Sequence, residues 1–220
     1  MRRTPLISLF VVSLLLTAQV QAQAISFRVG TLGPGIDLSF SVNESLNLRA
    51  GGTYFAVSET STFEDSDVNV EFEFDVKWGG ATVMLDFHPF DNSFRVSGGL
   101  FYSLIEVSGG GTPTESYFLN EGASNEKEFL PERLGTLSFT LEYEQSISPY
   151  LGIGFGNATR GSRVTFLFDL GVIYTGSPTL DMSGTRMLAP TANWDTRFNE
   201  GLESFKFLPV ISLGLAVRLK

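Results

Sequence analysis

One run of the chain keeps a two-residue rhythm for about nineteen positions. From Leu137 to Phe155, the residues Leu137, Phe139, Leu141, Tyr143, Ile147, Leu151, Ile153 and Phe155 all sit at odd positions, with only Gln145 and Pro149 interrupting. Apart from Tyr150, the even positions carry Ser138, Thr140, Glu142, Glu144, Ser146, Ser148, Gly152 and Gly154. Side chains alternate across a strand, so this pattern puts large apolar groups on one face and small, hydroxylic or acidic groups on the other. Soluble strands usually stop after about five or six residues. Such a face needs an unusual solvent.

The alternation returns through most of the chain. Leu32, Ile36, Leu38, Phe40 and Val42 face away from Asp37 and Ser39, and after a turn at Asn43–Ser45 the residues Leu46, Leu48, Ala50 and Tyr54 face away from Asn47 and Arg49. Val70, Phe72, Phe74, Val76 and Trp78 then oppose Glu71, Glu73, Asp75 and Lys77. The parity switches at Gly79 and Gly80, after which Ala81, Val83, Leu85 and Phe87 are apolar; a glycine pair at a switch predicts a β-bulge. Three more runs follow, at Phe94–Leu104, Val164–Tyr174 and Ile211–Leu219.

Short turns alternate with three long connections, Ser58–Asn69, Ser108–Arg133 and Thr175–Phe207. All short turns therefore lie at one end of the strands, an asymmetry typical of outer-membrane barrels with short periplasmic turns and long extracellular loops. Seven spans are clear, and single-chain bacterial barrels have even strand numbers. The expectation is an all-β, antiparallel up-and-down transmembrane β-barrel of eight strands, the eighth lying either in ISFRVGT ahead of Gly33 or within Thr175–Phe207.

The N-terminus fits export. Arg2 and Arg3 precede LISLFVVSLLL and then AQVQAQA, the order of a secretory signal peptide, with cleavage expected after Ala24 or Ala22. The apolar core is shorter than the ~20 residues of a membrane-spanning helix, which disfavours a retained anchor. Residues 1–24 are thus read as signal peptide and 25–220 as one barrel domain. The formal charge of -9 and the lack of a basic cluster disfavour nucleic acid, and the absence of cysteine excludes a disulfide scaffold and thiol chemistry.

A soluble barrel with its apolar face inward is the rival fold. Eight strands enclose an interior only just wide enough for side chains, so inward Phe, Leu and Tyr from every strand would overfill it. Turned outward they meet lipid, and Asp37, Arg49, Glu73, Lys77, Arg95, Glu142, Asp169 and Arg218 then fall in the lumen, where opposite charges pair. Tyr54, Trp78, Tyr102, Tyr143 and Tyr174 are candidates for the interfacial aromatic girdle.

The terminal SLGLAVRL resembles the signal by which barrel assembly machinery recognises outer-membrane proteins, matched at Ser212, Gly214, Val217 and Leu219, although the chain ends in Leu219 and Lys220 rather than an aromatic residue. With GPGIDLSFSVNESLNLRAG, PYLGIGFGN and FDLGVIY, the mature chain looks like the OmpA-like small outer-membrane barrels, without the peptidoglycan-binding domain of the larger relatives. That resemblance implies a fold and the outer membrane of a Gram-negative bacterium. It leaves the activity open.

Catalytic, cofactor and metal motifs are missing. His88, the single histidine, sits in DFHPFDN at a turn expected on the periplasmic side, near Asp86 and Asp91 but without a nucleophile at a meaningful spacing, so an outer-leaflet lipid hydrolase is disfavoured. GIGFGN places its glycines along a strand rather than at a strand-to-helix turn and is no phosphate loop. Two loops are acidic, with Glu59, Glu64, Asp65 and Asp67 in one and Glu115, Glu121, Glu126, Glu128 and Glu132 in the other. Solvated charge is the simple reading; carboxylates binding Ca²⁺ or Mg²⁺, or bridging lipopolysaccharide phosphates through them, is the sharper one. In the third loop Trp194, Phe198, Leu202 and Phe205 recur at helical spacing with Asn193 as a candidate cap, predicting an amphipathic helix on the membrane surface, over the barrel mouth or against a partner. The expected function is a non-enzymatic barrel with a structural or surface-interaction role. The alternative is a narrow channel for small solutes or hydrophobic molecules.

Overall fold

The computed structural model describes residues 23–64, 69–90, 92–119 and 127–219. The signal-peptide reading over 1–22 and the acidic residues Asp65, Asp67, Asp91, Glu121 and Glu126 lie outside them. In chain order the strands are β1 (Ala24–Gly30), β2 (Gly35–Ser41), β3 (Leu46–Glu64), β4 (Asn69–Phe87), β5 (Phe94–Ser103), β6 (Glu106–Pro113), β7 (Tyr117–Leu119), β8 (Lys127–Phe129), β9 (Leu137–Tyr143), β10 (Ile147–Phe155), β11 (Val164–Tyr174), β12 (Pro178–Gly184) and β13 (Phe207–Arg218). A short helix α1 (Pro131–Leu134) precedes β9, and a 3₁₀ segment (Arg186–Trp194) leads into α2 (Asp195–Leu202) between β12 and β13.

Eight antiparallel strands close in the order β1-β2-β3-β4-β5-β10-β11-β13, with β13 returning to β1 from Ala24↔Arg218 to Gly30↔Ser212. Closure leaves no sheet edge in the wall. The eighth strand is therefore the Ile25 segment. The Thr175–Phe207 connection does hold a strand, β12, but it stands outside the barrel.

All three expected loops contain strand residues. The ladder between β3 and β4 runs unbroken from Leu46↔Phe87 to Glu64↔Asn69, so Ser58–Asn69 is largely the tip of a long hairpin. Each strand has 19 residues, about twice the ~9–11 that cross a bilayer. The upper half of β4 pairs with β6 over Val70–Lys77 and its lower half with β5 over Gly80–Phe87. β6 in turn pairs with β9, and β9 with β12. A second sheet, β3-β4-β6-β9-β12, thus rises from the barrel at the long-loop end.

The bulge expected at Gly79–Gly80 is absent, since both glycines stay in register with Tyr54 and Thr53. Gly79 instead marks the point where β4 exchanges one partner for another. Its φ of 128° is open to glycine, and a Cβ there would lie 2.2 Å from the Thr53 carbonyl oxygen. The apolar parity changes because the surroundings change, not because a residue is inserted. In the barrel Thr82, Met84 and Asp86 point into the lumen while Val83, Leu85 and Phe87 are exposed outside. Above Gly79 the lumen-side positions of β4 become Val70, Phe72, Phe74, Val76 and Trp78, and the outer positions become Glu71, Glu73, Asp75 and Lys77.

The same inversion divides the long run that begins at Leu137. Only Ile147–Phe155 belongs to the wall, where Ile147, Leu151, Ile153 and Phe155 face out and Ser148 and Tyr150 face in. Leu137–Tyr143 is β9, and its Leu137, Phe139 and Leu141 sit opposite Gly111, Gly109 and Val107 on the apolar face of the upper sheet. A Cβ on Gly109 would meet the Phe139 ring at 2.8 Å, so these glycines make room for aromatic rings laid across them. The run leaves the barrel wall, turning over at Glu144–Ser146 on the way.

Candidate functional site

The lumen is filled by six charges that balance. Arg28 on β1, Arg49 on β3 and Arg95 on β5 interleave with Asp37 on β2, Asp86 on β4 and Asp169 on β11, and all six side chains are at most 7% exposed. Arg49 is the hub. Its guanidinium lies 2.9 Å from Asp86 through Nε, 3.3 Å from Asp169 through Nη2 and 3.9 Å from Asp37 through Nη1. Arg28 holds Asp37 at 2.8 Å, and Arg95 holds Asp169 at 2.7 Å while also donating to the Gly156 carbonyl. Ser97 donates to Asp86 at 2.5 Å. Each buried charge is thereby paired with an opposite one, and all but Asp37 are also hydrogen-bonded, which lets such groups be tolerated away from water.

This arrangement brings together four of the expected lumen charges, Asp37, Arg49, Arg95 and Asp169, with Arg28 and Asp86. The last two were readable from parity: Arg28 alternates with Phe27 and Val29, and Asp86 with Leu85 and Phe87. Glu73, Lys77 and Glu142 are not in the lumen. They stand on the outer, polar face of the upper sheet, because their strands have already left the barrel. Arg218 lies at the opposite rim, paired in register with Ala24.

Little space remains around the network. The gap bordered by Arg49, Asp86, His88 and Arg95 measures about 10 Å³, room for at most one water. A shallow recess of about 180 Å³ opens at the short-turn end beside Glu44, His88, Asn157 and Arg160. His88 is 2% exposed, not a solvated turn residue, and neither ring nitrogen has a hydrogen-bond partner among the described residues. Burial, with Arg95 nearby, holds its imidazole below the ordinary value.

A larger recess of about 430 Å³ lies where the upper sheet parts from the wall, lined by Tyr54, Lys77, Ser103, Glu106, Glu142 and Tyr143 among others. Lys77 donates to Glu106 at 3.0 Å, and that hydrogen bond, with the carboxylate's charge, holds the ammonium above its ordinary value. Of the girdle candidates, Tyr54, Tyr102 and Tyr174 are exposed on the outside, Tyr174 resting against Phe207 with ring centroids 5.3 Å apart. Trp78 and Tyr143 turn inward against the buried cluster around Phe101 and Tyr150, and Trp78 Nε1 donates to the Thr31 carbonyl at 2.8 Å. Both lie beyond the polarity inversion, which is why taking the apolar face for the lipid face puts them on the wrong side.

The assembly-signal residues lie on β13, the closing strand, with Ser212 lumen-side, Gly214 packed over Phe27 and Arg28, Val217 opposite Ile25 and Val164, and Leu219 exposed just beyond. The predicted helix is α2, but Asn193 is not its cap. The 3₁₀ segment runs straight into it through Trp194, supplying turns where a capping side chain would otherwise serve. Asn199 fastens the helix to β12, receiving the Leu180 N–H at 2.7 Å and donating to the Leu180 carbonyl at 3.1 Å. Trp194, Phe198 and Phe205 stay exposed. Among the described residues no group of three or more acidic or histidine side chains is placed to hold a metal ion, and Asp65 and Asp67 of the calcium reading are not among them.

No protein-family model and no curated protein matches the chain. Solved structures share its fold, among them two from Acinetobacter baumannii. CarO2 of Acinetobacter baumannii matches over 91% of this chain and 100% of its own at 20% identity and a TM-score of 0.56. CarO of the same organism matches over 92% and 100% at 19% identity and a TM-score of 0.57. Both are outer-membrane barrels, and at this identity the likeness is one of fold. The barrel is of the outer-membrane type.

Proposed function

We propose that this protein is a non-enzymatic integral outer-membrane barrel, closed to solutes, that raises a β-sheet platform above the outer leaflet for interaction at the cell surface. The balanced Arg–Asp network carries the reading: six buried charges tie six strands across the lumen, and a conducting path would have to break them. The exposed apolar band on the wall, including Val29, Ile147 and Leu151, supports a lipid environment. The long-loop end then faces outward, so that the upper sheet stands in lipopolysaccharide or beyond it. On this reading Ser212, Gly214, Val217 and Leu219 present the closing strand to the assembly machinery, and Tyr54, Tyr102 and Tyr174 mark the outer interface.

The β1 ladder bears on export. Gln23 donates its N–H to Ser39 and accepts from Leu219, so cleavage after Ala22 preserves the first rungs that cleavage after Ala24 would remove. The channel reading draws on the recesses of about 180 and 430 Å³ at the two ends of the wall. Planar-bilayer recording of the refolded chain separates the two. A closed barrel stays silent while showing the heat-dependent gel shift of a folded one; reproducible ion steps altered by Arg95→Gln would make it a channel.

A further inference from the structure

The two edges of the upper sheet are treated differently. At β12 the edge is guarded, since the Asn199 amide pairs with both backbone groups of Leu180 and α2 covers the strand. At β3 the edge is bare. β2 follows β3 only to Thr53, and beyond it Phe55–Glu64 has β4 as its sole strand partner among the described residues. Tyr54 donates its N–H to Pro34 at 3.1 Å, on the side away from β4, so by the strand's two-residue period the N–H and C=O groups of Ala56, Ser58, Thr60 and Thr62 point to the open edge. The segment contains neither Lys nor Pro, the residues that commonly blunt such edges.

The surroundings of that edge state what would fit it. On one face Val57 and Phe63, with Glu59 and Ser61 between them, stand beside Phe72 and Phe74, the four apolar residues all exposed. On the other, Ser58, Thr60 and Thr62 are backed by Asp75, Glu73 and Glu71, and none of these three carboxylates has a salt bridge among the described residues. We propose that the open edge of β3 from Ala56 to Thr62 is a strand-addition site for an extended polypeptide segment whose side chains alternate apolar with basic. Backbone pairing supplies the register, the phenylalanines receive the apolar face, and Glu71, Glu73 and Asp75 receive Lys or Arg.

The test uses the refolded chain in lipid nanodiscs and a dye-labelled nine-residue peptide alternating Val and Lys, followed by fluorescence anisotropy. Saturable binding that weakens with salt is expected, with a strand-type amide band from the isotope-labelled peptide. Thr60→Pro deletes an N–H aimed at the open edge without touching the β4 ladder; with an unchanged heat-dependent gel shift it should weaken binding at least tenfold. Glu73→Gln with Asp75→Asn should flatten the salt dependence. The proposal is overturned by an absence of binding, by equal affinity for a Val/Glu peptide, or by a Thr60→Pro variant that binds as well as the parent. It is equally overturned if the edge proves to be filled by a second copy, seen as self-association without peptide that Thr60→Pro abolishes.

Discussion

The two halves of the β3–β4 hairpin are built by one alternating rule and read with opposite sign. Below Gly79 the lumen-side positions Asn47, Arg49, Thr53, Thr82 and Asp86 are mostly polar and the outside is Leu48, Ala50, Val83 and Leu85. Above it the lumen-side positions are mostly apolar, with Phe55, Val57, Phe72, Phe74 and Val76 against Glu59 and Ser61, and the outer ones include Ser58, Thr60, Glu71, Glu73 and Asp75. The backbone register does not change. Alternation tells which residues share a face, and the surrounding medium decides which face is greasy. On the proposed function, the point of inversion marks the boundary of the hydrocarbon.

Arg49→Ala should do the most damage to the lower half. It leaves Asp37, Asp86 and Asp169 short of positive charge in a dry lumen, a change expected to cost about 3–5 kcal/mol; Glu73→Ala, on the polar face above, should fall within about 0.5 kcal/mol. Denaturant titration in lipid, read by gel shift, compares them, and equal losses would erase the distinction between the halves. Charging the outer face comes next. Ile153→Arg near mid-wall should cost about 2–4 kcal/mol of insertion stability, whereas Phe74→Arg above Gly79 should leave insertion unchanged.

A smaller effect is expected in the upper sheet. Asn199→Ala removes both hydrogen bonds to Leu180, about 0.5–1.5 kcal/mol each, and should speed amide exchange in β12 without altering the barrel. The least is at His88. Its imidazole is held below the ordinary value, so the folded barrel binds that proton more weakly than the unfolded chain. The stability this contributes is present above about pH 6.5 and is lost as pH falls through the lowered value. His88→Asn should flatten that part of the pH profile; an identical slope in the variant would remove the assignment.

Much of the barrel was legible because lipid imposes a long, regular pattern. The outer faces of β2, the lower half of β3, β5, β11 and β13 follow from parity alone, and Asp37, Arg49, Arg95 and Asp169 follow with them. Arg28 was hidden in a strand whose apolar face is short, with only Ile25, Phe27 and Val29. Asp86 draws notice in the sequence only as a neighbour of His88, although its parity is that of the lumen. The upper sheet was largely illegible. Its strands β6 and β12 carry glycines and short polar residues with no strong period, and they are held by pairing with β4 and β9 rather than by a pattern of their own. Gly79 was recognised as special, but a bulge and a change of solvent leave the same trace in a sequence.

Depth-resolved quenching tests that inversion most directly. A single environment-sensitive dye is placed in turn at Val83, Phe74, Leu151 and Leu141 of the barrel in vesicles containing spin-labelled lipid. The account predicts strong quenching by acyl-chain labels at Val83 and Leu151 and none at Phe74 and Leu141. Equal quenching at all four positions would mean that the upper sheet continues the membrane wall, and the boundary at Gly79 would be wrong.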